Sequence, residues 1–475
     1  MLSLILRSIF QVRSALLALG LLAVSTGVIL VAAASETTAV TVNQDLTRYW
    51  RTAYDILVRP ARTRSPIEEK YGLVEANHLS GIAGGITITQ SETIRAIPGV
   101  EVAAPIAMLG YVFEVFQVDM GWPSEPGAYV VTQTRTVDDG ARLYDQPRYT
   151  YYYIGPDAPA PSLEQAKRSN ITVNPLFGMP AWLEMPFFVA GADPPQEAAL
   201  VGLDRILLEG EYLTGNEPLN PRPYAAPFDK SPRALIKVPV LINTTPYISI
   251  TLRAELKRLP LPPEAANLEA IMAHGGREYL ASLLGEMLTL REISSDAAYR
   301  GVVESLRSTA GYGFTNHAFA TGTPSRITYR EIQPPFPYDE LALEIVLPGG
   351  PGYGGEPAYR IFVDPRYEEA RFNAVFQMNA KGVFDIERLP KPGDVNRVPL
   401  ETYFPPLATL RYDEEGRPVE PRTLRPTLNP AGYIQSPPLI LTTLAAAQAL
   451  RGDDCISAVR VRVGGIDELT PAAQR

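Results

Sequence analysis

Hydrophobic residues run without a charge from Ala15 to Ala34, twenty positions in which only Ser25 and Thr26 are clearly polar. At 1.5 Å per residue a helix of that length measures roughly 30 Å, the thickness of a bilayer's hydrocarbon core. No Pro, Asn or charge interrupts the run, so its backbone can satisfy every hydrogen bond internally, as lipid requires. Before it, Leu2, Ile5, Ile9 and Val12 recur every three or four residues, with Arg7, Gln11 and Arg13 between them. That pattern predicts a short amphipathic helix on the inner membrane surface. After it, Val42, Leu46, Tyr49 and Ala53 are spaced four, three and four, a heptad-like seam. The seam predicts a stalk that continues the membrane helix and packs on another helix; a lone helix docked on the globular part has the same spacing.

The pattern then changes to short strands. Tyr54–Val58 reads as a strand stopped by Arg59-Pro60, and Thr89–Ile97 as a short helix ended by Pro98-Gly99. Val100–Ile106 and Tyr111–Phe116 read as two strands, which makes an α/β unit with the helix on one sheet face. Val238–Ile242 and Tyr247–Arg253 are two further strands. Pro262-Pro263 opens a helical zone near 262–308. One helix there has Tyr279, Leu280, Leu283, Leu284, Met287 and Leu290 on its apolar face, and a second has Tyr299, Val302, Val303 and Leu306. Strand patterns return at Leu341–Leu347, Tyr359–Val363, Asn373–Met378 and Gly382–Ile386. Near the end, Ile456–Val463 alternates Val with Arg, which predicts one buried face.

Composition sharpens this picture. Pro supplies 45 of 475 residues, about twice its average usage of about 5%, and so predicts many short strands with stiff connections. A net charge of −9 argues against nucleic acid, whose phosphates need clustered Lys and Arg. One cysteine, Cys455, excludes an internal disulfide and a cysteine-built zinc site. Arg7 and Arg13 precede the apolar run and Glu36 is the first acid after it, which places the N-terminus in the cytoplasm and the bulk of the chain outside. Ala32-Ala33-Ala34 offers a signal-peptide cleavage site, but the run exceeds the roughly 7–15 residues of a signal core, which favours an uncleaved anchor.

A membrane helix, the strand Tyr54–Val58, then Ile94–Gly99 and Val100–Ile106, resemble the start of an FtsX/MacB-type ABC transporter permease. Cys455–Val463 resembles the strand by which the periplasmic core domain of that family returns to the membrane. The resemblance covers roughly residues 1–115 and 437–475. It implies an α/β (α+β) extracytoplasmic domain of MacB periplasmic-core type, carrying a large, mostly-β, Pro-rich insertion and preceded by one transmembrane helix. The resulting map has a cytoplasmic segment at 1–13, a membrane helix at 14–35 and a stalk at 36–53. The first part of the core spans 54–155, the insertion 156–436, and the return strand with the start of a helix 437–475. Thr470-Pro471 opens that helix and four residues follow, so the chain is expected to be cut short before further membrane spans. The resemblance also implies a bacterial plasma (inner) membrane location, a cytoplasmic ABC ATPase partner, and a second permease copy or relative in a dimer.

Motifs for chemistry are sparse. Gly350, Gly352 and Gly355 spell G-x-G-x-x-G, yet no Lys-Ser/Thr pair and no helix pattern follow, so a hairpin loop fits better than a phosphate cradle. ATP is then expected on another polypeptide. No cofactor, metal ligand set or catalytic residue is assigned. Asp138-Asp139 and Glu414-Glu415 read as solvated turns, and His317 as a core or loop histidine. Cys455 reads as an unreactive packed thiol, and Tyr149–Tyr153 as an amphipathic edge strand. The site residues are therefore mechanical: Val42, Leu46, Tyr49 and Ala53. A membrane-anchored extracytoplasmic binding protein and a cell-envelope hydrolase are the two alternative functions.

Overall fold

A computed structural model describes residues 53–61, 63–64, 66–72, 79–155, 171–175, 178–224, 233–308, 312–313, 317–320, 360–363, 374–389, 402–413, 415–430 and 432–466. The apolar run, the seam positions Val42, Leu46 and Tyr49, the glycine run and Thr470-Pro471 lie outside these residues. Among the described residues no helix is long and apolar enough to cross a membrane.

The architecture is mixed α/β, built mostly of strands. Among the described residues its main sheet has ten strands. The path across it runs β1 (Ile56–Val58), β19 (Ala458–Val463), β2 (Val100–Val118), β6 (Ala181–Ala192), β18 (Ile440–Thr443), β9 (Arg233–Asn243), β15 (Ala374–Phe384) and β12 (Tyr312–Gly313). β7 (Leu207–Gly210) adds to β15 and β8 (Arg222–Tyr224) to β9. The pairs β6–β18 and β9–β15 are parallel and the rest antiparallel. Strands from 156–436 thus share one sheet with strands from both flanking segments. A second sheet has the order β11 (Glu286–Ile293), β10 (Ser249–Leu259), β3 (Gly127–Asp138), β4 (Leu143–Ile154) and β5 (Ile171–Val173). Two antiparallel two-stranded sheets are the remaining strands among the described residues: β13 (His317–Ala320) with β14 (Arg360–Val363), and β16 (Thr409–Tyr412) with β17 (Pro418–Thr423).

Both faces of the main sheet are covered, so its strands read as near-continuous apolar runs. On one face, Val112, Phe187, Val240 and Met378 pack with two helices, α6 (Ser295–Ser308) and α7 (Leu444–Arg451), and with Tyr129, Ile250 and Leu252 of the second sheet. α7 can come so close because it is Ala-rich and faces Gly191, where a Cβ would lie 2.6 Å from that of Ala447. The opposite face of the main sheet buries Ile106, Phe188, Leu241 and Leu441 under Ile206, Ile386, Tyr403 and Phe404. Behind the second sheet, Tyr151, Tyr153 and Leu259 pack on α4 (Leu268–Ala273) and α5 (Arg277–Ser282).

Several expectations change. The two strands 100–106 and 111–116 are one nineteen-residue strand, bent where a bulge between Met108 and Gly110 interrupts the pairing with β6. Asn373–Met378 and Gly382–Ile386 likewise merge into β15 across a bulge at Ala380/Gly382. The first helix of the 262–308 zone stops at Ser282, and Glu286–Ile293 is strand β11, so Met287 and Leu290 belong to a sheet. Gly285 and the apolar residues after it fit either period over so short a run, and pairing with β10 decides. The second helix, α6, buries Tyr299, Val302, Val303 and Leu306 as its spacing predicts. β4 is not an edge where its tyrosines cluster, because β5 pairs with Tyr151–Tyr153. Three of the clustered tyrosines are buried, Tyr152 between the sheets and Tyr151 and Tyr153 under α4 and α5, while Tyr149 is 48% exposed. Arg360–Val363 pairs with His317–Ala320, which makes His317 a strand residue.

Candidate functional site

The chain enters and leaves the domain at one place. β1 pairs antiparallel with β19, Leu57 opposite Arg460, and Asp55 N–H donates to Val461 O at 2.8 Å. The Val463 N–H donates back to Asp55 Oδ2 at 2.8 Å. Arg460 and Arg462 are two apart on β19 and so emerge on one face. That face meets helix α3 (Pro194–Val201).

α3 is positioned by its own ends. Asp193 is its N-cap and accepts from Gln196 N–H, Pro194 sits in the first turn, and Gly202 closes the other end at φ +75°. Asp193 also takes an ion pair from Arg95, in the last turn of α2 (Ile88–Arg95). Gln196 accepts from Ala103 N–H at 3.1 Å and fixes α3 on β2.

On this frame Glu197 and Arg460 form a bidentate pair, Nη1 to Oε1 at 2.9 Å and Nη2 to Oε2 at 2.6 Å. Their side chains are 0% and 1% exposed. The Tyr403 hydroxyl donates to Glu197 Oε1, and burial, with Glu197 beside it, holds that hydroxyl well above its ordinary pKa. Two residues further on, Arg462 donates to three backbone carbonyls. Nε and Nη2 reach Ala53 O at 3.2 and 2.9 Å, Nη1 reaches Ala199 O at 3.1 Å, and Nη2 also bonds Leu200 O. A guanidinium there caps the last-turn carbonyls of α3 and complements the helix dipole. One side chain therefore ties the entering chain, the leaving strand and α3 together.

Of the seam residues only Ala53 is described, and its carbonyl is what Arg462 holds. Glu197, Tyr403, Arg460 and Arg462 were not legible as a site. The alternation of Val with Arg suggests a solvated arginine face, whereas Arg460 is as buried as Val459 and Val461. The available signal was Asp193-Pro194-Pro195-Gln196-Glu197, a helix start with an acid in its first turn, which marks a helix able to meet those arginines.

A second feature is a groove of about 550 Å³ between the β3–β4 turn and the β16–β17 hairpin. Arg422 and Arg425 dock the hairpin on that turn, through Ala141 O at 3.1 Å and Asp138 Oδ2 at 3.0 Å. Tyr144, Arg142, Tyr412 and Tyr433 line the groove, the last two 60% and 50% exposed. Its volume is that of a small-molecule site. Asp138 and Asp139 hold the turn as expected, accepting from the backbone N–H groups of Gly140, Ala141 and Arg142. Cys455 is 2% exposed, and burial, ahead of the nearby Asp454 and Asp453, pushes its thiol up to about 12. On β2, burial pushes the Glu114 carboxyl up to about 7. Among the described residues no cluster of His, Cys, Asp and Glu has the arrangement to hold a metal ion.

No protein-family model matches the chain, and no curated protein or solved structure matches it.

Proposed function

We propose that this chain is a permease subunit of an ABC transporter of the FtsX/MacB type, whose extracytoplasmic domain couples ATP hydrolysis by a cytoplasmic partner to transport or mechanical work. The observation that carries this reading is the pairing of β1 with β19 under the Arg462 clamp. Segments some 350 residues apart in the chain, the same ones that resemble the family, lie side by side as β1, β19 and the first half of β2. A domain hung from adjacent entry and exit strands can be inserted between two membrane helices and moved by them. The twenty-residue apolar run preceding the entry strand supplies the first of those helices. The proposed location is a bacterial plasma membrane with the N-terminus inside.

A second reading, a membrane-anchored binding protein, draws on the groove beside Tyr144 and Arg142. One experiment separates the two. The full chain carrying Leu284→Cys, a position 92% exposed, is treated in intact cells with a membrane-impermeant thiol reagent and then isolated from detergent-solubilised membranes. The permease reading expects labelling from outside and an ATP-hydrolysing subunit isolated with the chain. Labelling from outside with no such subunit supports the anchored binding protein, and labelling only after lysis contradicts both.

A further inference from the structure

We infer that the outer edge of β11 is an interface with a second copy of this chain, formed by antiparallel pairing of β11 with itself about a two-fold axis at Thr289. Among the described residues β11 pairs only with β10, so its other edge presents free backbone donors and acceptors. The strand is exposed and apolar, with Met287, Leu288 and Leu290 at 43%, 47% and 42% and Leu284 just before it at 92%. It has no Pro or Lys, two of the devices by which natural edge strands repel pairing, and its charges, Glu286, Arg291 and Glu292, are of both signs.

The sequence of the strand selects the occupant. Glu286-Met287-Leu288-Thr289-Leu290-Arg291, laid antiparallel against itself, sets Glu286 opposite Arg291 and Met287 opposite Leu290, each twice. In a regular strand this register is forbidden. Opposed residues must share a face, and Glu286 and Arg291 are five apart, so they would point to opposite faces. The bulge in β11 removes the obstacle. Thr289 stands opposite Leu256 and Met287 opposite Lys257, which leaves Leu288 as an extra residue. Glu286 and Arg291 therefore stand beside Arg258 and Ala254, four apart on β10 and on one face. Met287 and Leu290 stand beside Lys257 and Glu255, on the other face. Charge pairs and apolar pairs match in a register that the bulge permits.

The interface gives a place to the second copy that the permease reading calls for, and rests on that reading only for the two copies meeting in one membrane assembly. Thr289→Cys in the full chain in its native membranes tests it. At the two-fold axis, two such thiols lie at disulfide distance. Mild oxidation with dioxygen and copper–phenanthroline is expected to join them, the thiols losing two electrons and two protons to the oxygen. Cys455, buried, is silent in the parent chain. Adding Arg291→Glu or Glu286→Arg sets like charges opposite each other twice and is expected to cut cross-linking about tenfold. Co-expressing the two charge variants restores both opposite-charge pairs and is expected to restore the cross-link, which also shows that each variant folds. No cross-link from Thr289→Cys, or one indifferent to Arg291→Glu, overturns the interface. If an ATP-hydrolysing subunit still co-isolates with that chain, the permease reading stands without it.

Discussion

Replacing Arg460 by Met is expected to destabilise the domain by about 3–5 kcal/mol, the cost of leaving a buried charge without its partner. Glu197 is fully buried and accepts from both terminal nitrogens of the guanidinium, so nothing from solvent can take their place. Denaturant unfolding of the variant should show a lower midpoint with an unchanged slope. The companion test removes the whole cluster. Glu197→Leu, Tyr403→Phe and Arg460→Met together leave no orphaned polar group and are expected to return most of the lost stability. A triple variant as unstable as Arg460→Met alone would mean that the cluster's volume and packing, not its charge, hold α3 on β19.

The second large effect belongs to Arg462. Arg462→Ala removes its bonds to Ala53 O, Ala199 O and Leu200 O, with an expected loss of about 2 kcal/mol. The loss should be local. Amide exchange at Asp55 and along β1 is expected to accelerate roughly thirtyfold, while the α6 amides keep their protection. Uniform acceleration across the domain would show that Arg462 supports general stability and does not clamp the entering chain.

What the sequence revealed and what it hid follow from how local each signal is. The helix at Ile88–Arg95 was readable because Thr87 and Gln90 make a capping box and Pro98-Gly99 ends the segment. α6 was readable because its buried face repeats with helical period. The end of the helix at Ser282 was hidden because Leu283, Leu284, Met287 and Leu290 continue the helical spacing, whereas pairing with β10 makes Glu286–Ile293 an edge strand. Bulges hid as well, since Leu109 and Leu288 look like ordinary strand residues until a partner strand sets the register. The clamp depended most on distance in sequence. Arg460 meets Glu197 across 263 positions, and neither residue type signals burial alone. Of the seam, the Ala53 carbonyl meets Arg462, and Val42, Leu46 and Tyr49 lie outside the described residues.

If the domain hangs from a moving membrane helix, its position must depend on the nucleotide bound inside the cell. Leu143 is 70% exposed on β4, away from the β11 edge, and accepts a spin label as Leu143→Cys without touching the core. In the assembly isolated with its ATP-hydrolysing partner, the distance between the two labelled copies is measured by pulsed electron paramagnetic resonance, first without nucleotide and then with ATP trapped. The permease account predicts two different distance distributions. One unchanged distribution, in an assembly that hydrolyses ATP, would contradict mechanical coupling through this domain.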